Sequence, residues 1–172
     1  MPSKQRAKRN CTRLEYASTQ VSNHLYEVRV ENEWKYQVRF TASDALAALL
    51  REQDVSLAHA RLAALLSEYE ATIQCQYDAF AGYVAEAQSN GTEHYALYDW
   101  TLATIENPEK KRKYLRAFTV YVNSAEIYDK AVADALYTGL SALTEDGAIS
   151  DVKCFDSNPA HNPQPPARST ME

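Results

Sequence analysis

Residues 107–143 read NPEKKRKYLRAFTVYVNSAEIYDKAVADALYTGLSAL, and the period of their apolar positions decides the architecture. Asn107 offers a capping side chain, Pro108 suits the first helical position, and an acid follows at Glu109. Tyr114, Phe118, Tyr121, Ala125, Tyr128, Val132, Ala135 and Gly139 then recur at alternating steps of four and three. Leu115, Val122, Leu136 and Leu140 widen that stripe. The spacing predicts one helix of about 36 residues, running to about Leu143, with an apolar face broad enough to be buried on more than one side.

Upstream the same logic applies to residues 54–91, which contain no proline. Leu62, Leu66, Tyr69, Ile73, Tyr77, Phe80 and Val84 follow steps of 4, 3, 4, 4, 3 and 4, an eleven-residue pattern that keeps a nearly straight helix facing one neighbour. This second long helix starts near Asp54 or Ser56 and stops at Ser89-Asn90-Gly91. A short helix precedes it, from the Thr41/Asp44 start to about Gln53. Another lies between Thr92 and Glu106, with Tyr95, Tyr98, Leu102 and Ile105 on one face. Residues 24–40 instead alternate: Tyr26, Val28, Val30, Trp34, Tyr36, Val38 and Phe40 share one parity, with a turn at Glu31-Asn32-Glu33. That is a β-hairpin with one apolar face.

The expectation is a mainly α protein: an elongated antiparallel helical bundle with an N-terminal β-hairpin and extended N- and C-terminal arms. Residues 1–23 form the basic arm, 24–147 the hairpin plus bundle, and 148–172 a proline-rich tail, in which residues 149–155 suit a short strand. Helices of about 33 and 36 residues are roughly 50 Å long, more than a compact globule of this size spans. Two such stripes exceed what the remaining elements cover, and uncovered apolar area marks a contact surface.

Composition narrows the function classes. The chain has 172 residues, 45% of them hydrophobic and only four of them glycine, which excludes a collagen-like or wholly disordered chain. No apolar run approaches the roughly 18–20 residues of a membrane span, and no secretory signal pattern follows the first charges. Cys11, Cys75 and Cys154 are far apart, unlike a disulfide scaffold or a zinc finger. Lys4, Arg6, Lys8, Arg9 and Arg13 give the first 13 residues +5; the rest holds 13 basic against 23 acidic side chains, a net −10. A basic arm on an acidic body suits an anionic partner.

Little in the chain points to catalysis. His24, His59, His94 and His161 are scattered without metal-ligand spacing, and no phosphate loop, nucleophile elbow or dinucleotide fingerprint occurs. No catalytic, cofactor or metal residue is therefore assigned. The local feature of most interest is Lys110-Lys111-Arg112-Lys113 with Arg116. Cations crowd the first turn of a helix there, against its dipole. A solvated face, with Glu106 and Glu109 softening the repulsion, is the first reading. The alternative is an anion site where the lysines and free backbone N–H groups jointly meet phosphate or carboxylate. Tyr114, Tyr121 and Tyr128, seven residues apart, suit an interhelical seam better than a base-stacking platform. In the tail, Pro163 to Arg168 fits a proline-motif ligand or an arm draped on a neighbour.

Two functions follow as expectations. The first is a non-enzymatic structural or interaction subunit of a larger assembly, homo-oligomeric or part of a virion or phage particle. Its helix-interface set is Leu62, Leu66, Tyr69, Ile73, Tyr77, Phe80, Val84, Tyr114, Phe118, Tyr121, Tyr128 and Val132. The alternative is a nucleic-acid-binding module using the basic segments 4–13 and 110–116. Partners are other protein subunits or nucleic acid rather than a membrane, inside a cell or a virus particle.

Overall fold

The computed structural model describes residues 34–52 and 54–161. The basic arm, the first strand of the expected hairpin and the Pro163–Arg168 motif lie outside the described residues. Strand β1 (Tyr36–Ala42) leads into helices α1 (Asp44–Glu52), α2 (Val55–Ala58) and α3 (Ala60–Glu68), then strand β2 (Ala71–Cys75). Helices α4 (Gln76–Asn90), α5 (Tyr98–Glu106) and α6 (Pro108–Leu115) precede strand β3 (Ala117–Val122). Helix α7 (Lys130–Ser141) and strand β4 (Ile149–Asp156) complete the described chain.

This overturns the mainly helical bundle: the fold is mixed, with seven helices and a four-stranded antiparallel sheet among the described residues. Both expected long helices are interrupted by a strand. α3 is capped at Tyr69, Glu70 takes left-handed backbone (φ 49°), and β2 follows. α6 ends at Leu115 and β3 takes its place. The physical reason is legible in Phe118-Thr119-Val120-Tyr121-Val122, five consecutive aromatic or β-branched residues that lose side-chain freedom in a helix and fit a pleated surface. Phe118, Val120 and Val122 lie two apart, so the strand period fits the same apolar residues. Asn123 and Ser124 (φ 49° and 65°) turn the chain sharply, with Val122 bridged to Ala125. Breaks without glycine or proline are what concealed these strands.

The helix starts at Asp44, Asp54 and Asn107 were marked in the sequence, while those of α3, α4 and α7 fall inside the expected long helices and α5 begins at Tyr98 rather than near Thr92. The Ser43 hydroxyl accepts from the Leu46 N–H, Asp54 caps α2, and Asn107 Oδ1 accepts from the N–H groups of Glu109 and Lys110. His59 caps α3 through Nδ1, which accepts from the Leu62 N–H at 3.1 Å.

The sheet order is β2-β3-β1-β4, every neighbour antiparallel. β1 and β2 therefore run the same way with β3 between them, and β3 and β4 run the other way with β1 between them. These are two interlocked split β-α-β units. Residues 76–116 form a helical excursion where β2 would otherwise turn directly into β3. Both edges of β1 are occupied, by β3 and β4.

One face of the sheet is apolar. Val38, Phe40, Ala42, Phe118, Val120 and Ile149 meet Leu62 and Leu66 of α3 and Ala133, Leu136 and Leu140 of α7 in one buried cluster. At its centre the Phe40 and Phe118 rings stack with centroids 5.4 Å apart. Tyr128 seals the end of this layer. The β1–β3 ladder stops at Arg39, and beyond it the Val38 N–H donates to the Tyr128 hydroxyl (3.0 Å), which donates to the Val120 carbonyl (3.4 Å). Tyr36 and Tyr128 exchange both backbone hydrogen bonds at 2.8 Å.

Two stability measurements check this account. Glu70→Gly relieves left-handed strain and raises stability by about 0.5–1 kcal/mol in urea unfolding; in an uninterrupted helix the same change would cost about 1 kcal/mol. Burial pushes the Tyr128 phenol up to about 12. The fold thus favours its neutral form, and stability is full below pH ~10 and falls as pH rises from there towards 12. Tyr128→Phe strands the Val38 N–H, costs about 1–3 kcal/mol at neutral pH, and removes its share of the alkaline loss.

Candidate functional site

Strand alternation sends the remaining side chains to the other face of the sheet. Gln37 and Arg39 of β1, Gln74 of β2, Thr119 and Tyr121 of β3, and Lys153 and Phe155 of β4 lie there. Gln74 and Lys153 are exposed, Arg39, Tyr121 and Phe155 half-buried, and Gln37 and Thr119 form a buried floor. The start of α4 supplies one wall: the Gln76 amide donates to the Thr119 hydroxyl at 3.2 Å, with Ala79 and Phe80 beside it. Glu126, from the β3–α7 connection, also lines this shallow cleft of about 110 Å³.

Arg39 dominates this cleft. Its Nε donates to the Gln37 side-chain oxygen, and its guanidinium carbon lies 5.1 Å from the Phe155 ring centroid. Burial pulls its pKa below the usual arginine value, and the nearby Glu126 carboxylate works against that shift. The group stays a cation at any ordinary pH. Burial, then Glu126, push the Tyr121 phenol upward, with Arg39 opposing.

From the cleft an aromatic path leads to the basic helix. Phe80 meets Trp100 edge-to-face at 5.9 Å and Tyr114 at 5.0 Å. Lys113 Nζ lies 5.5 Å from the Tyr114 ring centroid, and Lys111 Nζ lies 5.2 Å from that of Tyr77. The five cations of 110–116 are thus not equivalent. Arg112 and Arg116 both reach Asp44, at 3.8 and 3.3 Å, and Arg116 Nε also donates to the Ala42 carbonyl. Lys110, Lys111 and Lys113 make no ion pair among the described residues. Asn107 occupies the first free N–H groups of α6, so an anion there meets lysine side chains rather than the helix end.

The expected helix-interface residues disperse. Leu62, Leu66, Phe118 and Tyr128 lie in the core, with Tyr69, Ile73, Tyr77 and Val132 packed against it. Val84 is buried on α4. Only Phe80, Tyr114 and Tyr121 belong to the cleft and its approach. Lys4, Arg6, Lys8, Arg9 and Arg13 lie outside the described residues. Sequence reading missed Arg39, Phe155, Gln74 and Glu126 as site residues. The signal for Arg39 was its place on the polar parity of a strand, but Phe155 joins it only through the β1–β4 register, Gln37 opposite Phe155.

Other chemistry is sparse. The Cys75 thiol is buried against the Tyr114 and Leu115 carbonyls at 3.5 and 3.6 Å, and burial pushes it up, away from thiolate character. No cluster of three potential metal-ligating side chains occurs among the described residues, and no helix there is long and apolar enough to cross a membrane. No family model, curated protein or solved structure matches the chain.

Proposed function

We propose that this chain is a non-catalytic module that binds single-stranded nucleic acid across the outer face of its sheet, with α6 holding the phosphates. The observation that carries the reading is Arg39 laid over Phe155 on a sheet whose helices α3 and α7 occupy the opposite face. Unstacked bases are bound on such surfaces by aromatic rings and guanidinium planes, with amides and hydroxyls meeting base edges. Tyr121, Phe155 and Phe80 supply rings, and Gln74 and Thr119 supply polar groups. Lys113 lies by Tyr114, the ring that Phe80 meets, Lys111 lies by Tyr77, and Lys110 is exposed on the same helix, so α6 offers cations to a phosphate backbone leaving the cleft.

The competing reading as an assembly subunit drew on two uncovered apolar stripes, two extended arms and the lack of a catalytic constellation. Leu62, Leu66, Phe118 and Tyr128 are buried in the core, which removes the first of these three supports. The acidic balance outside the first 13 residues confines phosphate contact to the α6 strip and the basic arm. Single strands of this kind are met inside a cell or a virus particle, and there the reading places the protein.

Fluorescence anisotropy with the full chain and a labelled 12-nucleotide strand tests it. Binding weakens as salt rises, and Lys110→Glu with Lys113→Glu lowers affinity at least tenfold at low salt. Phe155→Ala costs about 1–3 kcal/mol, the worth of one stacked base. Circular dichroism checks that each variant folds. Affinity untouched by both variants, or persisting unchanged to 0.5 M salt, overturns the proposal.

A further inference from the structure

Resting on that reading, we propose that the Arg39/Glu126 cleft takes one unstacked base and selects guanine. Its volume of about 110 Å³ is well below that of pockets for drug-sized ligands, and suits one heterocycle rather than a whole nucleotide or coenzyme. The polar groups lining it differ in kind. A guanidinium only donates hydrogen bonds, and an ionised carboxylate only accepts them. Arg39 Nε is engaged by Gln37, which fixes the guanidinium plane and leaves its terminal nitrogens to a ligand. Glu126 is exposed, accepts no hydrogen bond from a described residue, and acts electrostatically on Arg39 and Tyr121.

A carboxylate is a liability in a surface that binds polyphosphate, because it repels the backbone. Beyond offsetting the charge of Arg39, it is useful there against a base edge that donates. Guanine alone among the four common bases presents two adjacent donors, N1–H and N2–H, and on its other side two adjacent acceptors, O6 and N7. The first pair matches Glu126 and the second Arg39. Adenine, cytosine and uracil each leave one of the two charged groups with a single partner or none. Tyr121 and Phe80 supply flat surfaces lining the cleft, and Phe155 lies under the Arg39 guanidinium and supports it.

The test is competitive anisotropy with four 12-mers: oligouridylate, and the same strand with one central guanine, adenine or cytosine. The guanine strand binds the full chain about fivefold or more tightly than the other three, the discrimination of one good two-point contact. In Glu126→Gln the advantage collapses, and all four strands bind within about twofold of one another. Equal affinities for the native protein, preference for another base, or a guanine preference that survives Glu126→Gln each overturn guanine selection alone. Failure of every strand to bind overturns the nucleic-acid reading as well.

Discussion

The apolar layer between the sheet and the α3/α7 pair is the constraint from which the rest follows. Each of those helices carries the chain from one strand to another two places away, so each crossover brackets a strand of the other unit. Neither unit closes its own sheet, and the core exists only when both are interleaved around the Phe40–Phe118 stack. Because both crossovers lie on one side, the opposite face is covered only in part, by the start of α4 beside the buried Gln37 and Thr119. Its β1 and β3 positions carry Gln37, Arg39, Thr119 and Tyr121, where an apolar cluster would leave an exposed patch inviting association.

Tyr128 links the two faces. It sits six residues past the end of β3, and reaches the core only because Asn123 and Ser124 reverse the chain in left-handed backbone. Its hydroxyl takes the place of the missing β1–β3 ladder bond, keeping the Val38 N–H satisfied where the strands part. The same reversal swings Glu126 beside the outer face. A turn that completes the core thus also places the one acidic group of the cleft. The excursion of α4, α5 and α6 works in parallel: it keeps β2 and β3 paired as neighbours while bringing Phe80 and Tyr114 alongside that face.

How much of this the sequence disclosed depends on which signal was local. Caps were legible: Asp54 and Asn107 start helices within a residue of where their side chains imply. β1 was legible from alternation over Tyr36–Phe40. The strands β2 and β3 were not, because Ile73, Tyr77, Phe118 and Tyr121 satisfy steps of three and four as well as a pleat. Their ends are marked by Glu70 and Asn123 in left-handed backbone rather than by glycine or proline. The cleft was hidden for another reason. Arg39, Thr119 and Gln74 come from three separate strands, with Phe155 of the fourth beneath Arg39, and they converge only through the sheet order, which no short-range pattern encodes.

Arg39 is the least expected of these residues energetically. A half-buried guanidinium is costly unless paired, and no carboxylate lies within ion-pair distance of it among the described residues. The Gln37 amide and the Phe155 ring compensate in part, through one hydrogen bond and a cation–π contact. Glu126 compensates at longer range. Contrast Arg112 and Arg116, which share Asp44, and Arg51, which grips Asp78 with two hydrogen bonds of 2.8 and 2.7 Å. Arg51, Arg112 and Arg116 are each given a carboxylate. At Arg39 the chain supplies an amide to fix the plane and an aromatic ring to carry it, an arrangement that orients the cation without neutralising it. A ligand bearing acceptors gains most at that position, because the protein has already met the cost of ordering the side chain.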